Sequence, residues 1–143
     1  MKCARFVAVA LLLGMAGCST FERDYQNVVQ GKASALSIEA YEGRWQSEAG
    51  RGGDKLWALV SRTAADTYHA RFRAKYDWLF TVEEEVDLHV TPGSAPPHAT
   101  GEADLGWLKG GVYKYDTTLT PGRLDATYES KYDHGTFTLE RAK

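Results

Sequence analysis

The chain has 143 residues and a formal net charge of −2, with 43% hydrophobic, 12% aromatic and 25% charged residues. That is enough for one domain with its own core but not for two, and such a charge balance offers no basic stripe for a nucleic-acid partner. Two cysteines, Cys3 and Cys18, are too few for a thiolate zinc site or a disulfide framework.

The chain opens MKCARFVAVALLLGMAGCST. Lys2 and Arg5 precede an apolar run, Phe6 to Met15, that is too short to span a bilayer, which is the pattern of a secretory signal. The run ends Met15-Ala16-Gly17-Cys18, and this resembles the lipobox of bacterial lipoproteins. The resemblance implies cleavage before Cys18 and diacylglycerol on its sulfur, so that a membrane is reached through acyl chains on Cys18. Ser19, where that family places aspartate for inner-membrane retention, points to the periplasmic leaflet of the outer membrane; in a single-membrane organism the same anchor would hold the outer surface. Two or three acyl chains, at about 0.8 kcal/mol per buried methylene, suffice for stable attachment. The alternative is an ordinary signal cleaved beyond Cys18. Losing residues 1–17 with their two cations takes the formal charge from −2 to −4.

Residues 18–40 form a linker, and Phe21, Tyr25, Val28 or Val29, Ala33 and Leu36 recur in it at helical spacing. A short helix is expected here, its single apolar stripe packed on the following domain; the alternative is that the stripe binds the membrane. From 41 to 143 the period changes to two. Eight strands are expected, over 41–49, 54–62, 67–76, 79–90, 100–108, 112–119, 123–130 and 135–141. Between them lie turn signals such as GRGGD, TAAD, PGSAPP, KGG, TPG and KYDHG. Short strands and tight turns describe an all-β, eight-stranded antiparallel up-and-down barrel, whose closure leaves no exposed edge. An internal echo, ARFRAKYD at 70–77 and ATYESKYD at 126–133, fits two four-strand halves.

The fourth strand reads FTVEEEVDLHV. A hairpin turning about Trp78 sets Arg73 against Glu83, Arg71 against Glu85 and His69 against Asp87, giving a charged outer face. Glu84 then shares parity with Val82 and Val86 and points inward. An inward carboxylate requires a hydrogen-bonding partner, an internal arginine, or a bulge that turns it out; alternatively it is the polar anchor of a ligand.

Tyr41-Glu42-Gly43-Arg44-Trp45 resembles the Gly-x-Trp signature of the first lipocalin strand. That resemblance implies that Trp45 closes the barrel floor with Arg141, from the last strand, packed across it. The length and tight turns are also similar to avidin-like barrels, so the likeness is to calycin-type barrels in general. It covers only the two ends of the barrel.

No nucleophile elbow, phosphate loop or zinc spacing occurs, and His69, His89, His98 and His134 fall on outer faces or turns. No enzyme activity, cofactor or metal site is expected. Parity places Trp45, Tyr68, Phe72, Trp107, Tyr113, Tyr115, Tyr128 and Phe137 inside. They either fill the barrel or line a small cavity in which Glu84, Tyr115 and Tyr128 orient a small, partly apolar ligand. Trp57 and Leu59 face outward on the second strand, as a surface for an envelope protein partner or a membrane contact. The sequence therefore reads as a lipid-anchored envelope protein that binds or carries a small molecule. The alternative is an interaction or assembly module with a filled barrel.

Overall fold

A computed structural model describes residues 19–33, 37–50, 53–76 and 80–143. The lipobox with Cys18, as well as Leu36 and the Trp78 turn, lie outside the described residues.

One helix and eight strands follow in order: α1 (Thr20–Val29), β1 (Ile38–Ser47), β2 (Lys55–Ala64), β3 (Thr67–Tyr76), β4 (Phe80–Val90), β5 (His98–Asp104), β6 (Val112–Thr120), β7 (Arg123–Glu129) and β8 (His134–Arg141). A 3-10 turn, Trp107–Lys109, lies between β5 and β6. Each strand pairs with the next, and β8 returns to β1, closing an antiparallel barrel. The inward set includes Leu56, Ala58, Val60, Phe72, Val86, Leu88, Tyr115, Leu124, Phe137 and Leu139, all buried. An eight-stranded barrel is just wide enough for such side chains to fill it.

The register between β3 and β4 is the one the charge pattern requires, with His69 opposite Asp87, Arg71 opposite Glu85 and Arg73 opposite Glu83. Their side chains approach to 2.8, 3.2 and 3.6 Å. Closure of β1 on β8 depends on two missing side chains. A Cβ on Gly43 would stand 2.0 Å from the carbonyl oxygen of Thr138, and one on Gly135 would stand 2.0 Å from that of Gln46. The glycine of the Gly-x-Trp motif therefore lets two backbones meet.

Helix α1 is capped by Ser19, whose hydroxyl accepts from the Glu22 amide at 3.3 Å, and it ends where Gly31 takes a φ of 67°. It lies across the outside of β1, β2 and β3. Phe21 and Tyr25 are buried there against Ala40 and Leu59, with Trp57, Val28 and Ile38 packed around them. Glu22 pairs with Arg73 at 2.5 Å and Asp24 with Arg71 at 2.9 Å. The Arg71 guanidinium, beside Asp24, holds that carboxyl below its ordinary range.

The face of Trp57 and Leu59 is therefore not open to a partner. Both side chains do point out of the barrel, but Leu59 is buried and Trp57 half-buried under α1. The outward apolar pair on β2 and the apolar stripe of the linker are each other's partner. Covering both at once removes from water two surfaces that neither element could bury alone.

Alternation of direction puts the β1–β2, β3–β4, β5–β6 and β7–β8 connections at one end of the barrel, here termed the crown. The other three connections lie at the base.

Candidate functional site

The interior holds a cavity of about 50 Å3, walled by Trp45, Phe72, Tyr76, Tyr113, Tyr115 and Glu84 among others. Phe72 stacks on Tyr115 at 6.1 Å, and Phe137 meets Phe72 and Tyr115 edge-on at 5.4 and 6.3 Å. Drug-sized ligands occupy clefts of roughly 300 to 1,000 Å3. Among the described residues the barrel is thus filled by aromatic rings.

Glu84 points inward, as its parity requires, and the Tyr115 hydroxyl donates to its Oε1 at 2.5 Å. Burial pushes the Glu84 carboxyl above its ordinary range, while the Tyr115 donor and the Lys109 cation act against that shift. Burial and the adjacent carboxylate drive the Tyr115 hydroxyl far up, so it remains a donor. The partner Glu84 needs is therefore a tyrosine, with neither an inward arginine nor an outward bulge. β4 and β5 pair only at His89–Thr100 and Val90–Ala99, so Glu84 stands where the ladder between these strands is no longer formed.

Tyr128 does not join that pair. Its hydroxyl donates to Asp133 at 3.2 Å, and Ser47 donates to the other oxygen of Asp133 at 2.6 Å. Asp133 is only 5% exposed. Ser130 holds it in place, its hydroxyl accepting from the Asp133 amide at 3.1 Å. The sequence shows Ser130 and Asp133 only as parts of a turn. A serine three residues before an aspartate, followed two residues later by Gly135, whose missing side chain admits the Tyr128 hydroxyl, was the available signal. The three expected ligand-binding residues thus line the same small cavity, but their hydrogen bonds are divided, with Glu84 and Tyr115 in one contact and Tyr128 in another.

Trp45 and Arg141 do not form a closing pair. In the β1–β8 register Trp45 faces Phe137 and Arg141 faces Tyr41, four residues away, or about 13 Å along a strand. β1 begins at Ile38, earlier than expected, so Trp45 stands toward the crown. There its indole N–H donates to the Lys75 carbonyl at 3.1 Å, and its ring meets Tyr76 at 4.4 Å. Arg141 pairs instead with Glu39 near the base.

Trp45 is nonetheless inward, as expected, whereas Trp107 is an inward expectation that fails. β5 stops at Asp104, whose side chain accepts from the Gly106 amide at 2.8 Å, and Gly106 takes a φ of 77°. The chain leaves the barrel wall there, and Trp107 is 84% exposed. The large apolar side chains exposed among the described residues are Phe80, Trp107, Leu108, Val112 and Tyr132, and all belong to the crown. Phe80, Trp107, Leu108 and Tyr132 border an open groove of about 500 Å3 whose floor includes Tyr76, Tyr113 and Asp133. Lys109 lines the groove and Lys131 lies over the Tyr132 ring at 5.2 Å.

No group of three or more His, Cys, Asp or Glu among the described residues is placed to hold a metal. The histidines pair on the outside, His98 with Asp116 at 2.5 Å and His134 with Glu48 at 3.5 Å. No helix among the described residues is long and apolar enough to cross a membrane. The chain matches no family model, and neither a curated protein nor a solved structure is significantly similar to it. Its likeness to calycin-type barrels is one of architecture.

Proposed function

We propose that the protein is a lipid-anchored envelope interaction module, in which a filled barrel serves as a rigid scaffold and the crown is the contact surface. One contrast carries this reading. The interior offers about 50 Å3, while the large exposed apolar side chains gather at one end. Monomeric proteins rarely leave such a cluster uncovered. The acyl anchor on Cys18, read from the lipobox, would confine the module to a membrane surface, and Ser19 favours the outer membrane's periplasmic leaflet.

The test is photo-crosslinking in growing cells. A photoreactive residue in place of Leu108 is expected to give adducts with an envelope component, and one in place of Thr91, at the base, is not. Equal yields at the two positions would contradict the reading.

A second reading, binding of a small, partly apolar molecule, is favoured by one observation. The crown groove shares Tyr76, Val82, Leu105 and Tyr113 with the cavity that contains Glu84. The ligand would then lie in the mouth of the barrel, with Lys109 and Glu84 as its polar contacts, and outside the barrel core. Native mass spectrometry of the full chain released from detergent would retain such a molecule, and would lose it on Leu108→Glu.

A further inference from the structure

The direction of helix α1 adds a constraint on what covers the crown. Its first turn pairs Glu22 with Arg73, and the next contact, Asp24 with Arg71, lies two residues nearer the base along β3. Its last turns and the residues after it border Ile38, Ser61 and His69, nearer the base again. α1 therefore runs from crown to base, antiparallel to β1, and Ser19 opens toward the crown. Arg73 is only three residues from Tyr76, where β3 ends at the crown, a rise of about 10 Å. Cys18 precedes Ser19 directly in the sequence.

We infer that the crown's partner is the bilayer that carries the anchor: Phe80, Trp107, Leu108 and Tyr132 enter its headgroup region while Lys109 and Lys131 meet anionic headgroups. The inference rests on the proposed reading that the crown is the contact surface and Cys18 the anchor. The chemistry of the crown fits. Tryptophan and tyrosine favour the membrane interface, where an apolar ring and a polar edge are both satisfied. An interfacial apolar face buries roughly 5 to 10 Å into the headgroup boundary, which is the reach of side chains as exposed as Trp107 and Leu108, at 84% and 78%. Two lysines beside them add attraction to an anionic surface. Asp133, the carboxylate under the groove, is buried and bonded to Ser47 and Tyr128, while Asp104 and Glu48 are exposed at the same end but lie outside the groove lining, Asp104 accepting from the Gly106 amide and Glu48 pairing with His134. A single anchor leaves a barrel free to tumble on its tether; a second contact at the same end would fix it crown-down, with the base toward the aqueous side.

The experiment uses the full chain, produced in a host that acylates it. After processing, Cys3 is gone and Cys18 is blocked, so Leu108→Cys supplies the single free thiol for an environment-sensitive fluorophore. Thr91→Cys supplies the control at the base, and Tyr132→Cys gives a second crown position should the first variant fold poorly. In proteoliposomes of phosphatidylethanolamine and phosphatidylglycerol, the crown probe is expected to shift to the blue. It should also be quenched several-fold more than the base probe by lipids carrying a nitroxide near the headgroup. Equal, water-like behaviour of the two probes would overturn the inference. If the crown probe were water-exposed in these liposomes, which hold no other protein, but shielded in native envelopes, the partner would be a protein; the inference would fall and the contact-surface reading would stand. Exposure in both settings would overturn both. An intact mass lacking acyl chains on Cys18 would remove the anchor and the inference with it.

Discussion

The contact between Glu84 and Tyr115 makes the interior testable through the opposite signs of two conservative changes. Tyr115→Phe deletes the hydroxyl that donates to Glu84 at 2.5 Å and leaves an inward carboxylate without that donor. A hydrogen bond to a charged group contributes about 1.5–3 kcal/mol, and the stranded partner keeps its desolvation cost. A domain of this size loses about 3–5 °C in melting temperature per kcal/mol, so the expected fall is about 5–15 °C at neutral pH. Glu84→Gln keeps an acceptor for Tyr115 but removes the charge that burial penalises, so it is expected to be neutral or stabilising. The pH dependence follows. Burial raises the folded-state pKa of Glu84 above its unfolded value, so the folded protein holds a proton that the unfolded chain has already released. The stability this site contributes is present below the ordinary carboxylate range. It is lost as pH rises from that range through the raised folded value. Urea unfolding of wild type and Glu84→Gln between about pH 4 and about pH 8 should show wild type falling relative to the variant as pH rises. A variant less stable than wild type at the alkaline end, or a difference that does not change with pH, would refute the argument.

Three further outcomes are expected. Phe21→Ala removes a buried ring from the interface between helix and barrel, a change that typically costs about 3–5 kcal/mol; it should free α1, speed proteolysis between α1 and β1, and expose Trp57 and Leu59 to a hydrophobic dye while the barrel still melts cooperatively. Gly43→Ala forces a Cβ toward the Thr138 carbonyl and should lower the urea midpoint by more than any surface substitution, because two paired backbones must separate. Thr117, 1% exposed, buries a hydroxyl with no partner among the described residues, so Thr117→Val should stabilise by about 1 kcal/mol in the same assay.

Where period two is sustained and charges mark one face, the fold was legible. Glu83, Glu85 and Asp87 could meet Arg73, Arg71 and His69 in only one register, and that register places Glu84 inside. The linker helix and its packing on the domain were legible from Phe21 and Tyr25, but the patch it covers was not, since sequence cannot show that the stripe it carries and the outward pair on β2 are complementary. Trp107 was misplaced because parity holds only while the strand does, and a glycine with positive φ at 106 ends it. Arg141 was misplaced because pairing across the closure depends on where β1 begins, and the three residues before Tyr41 carry no strong boundary signal. Whether aromatic rings fill a barrel or line a cavity depends on packing to within a methyl group, which alternation does not encode. The crown is not legible in the sequence for a related reason. Phe80, Trp107, Leu108 and Tyr132 are scattered through the chain, and only the alternating direction of the strands gathers their connections at one end.

The most direct measurement of the central claim is the rate at which a thiol reagent modifies Leu108→Cys in intact envelopes, compared with the same variant purified as a detergent-free monomer, with any acyl chains on Cys18 removed. A filled barrel working through its crown predicts much slower modification in envelopes at position 108 and an unchanged rate for Thr91→Cys at the base. Equal rates at position 108 in the two settings would mean that the crown is bare in the cell, and would contradict the account.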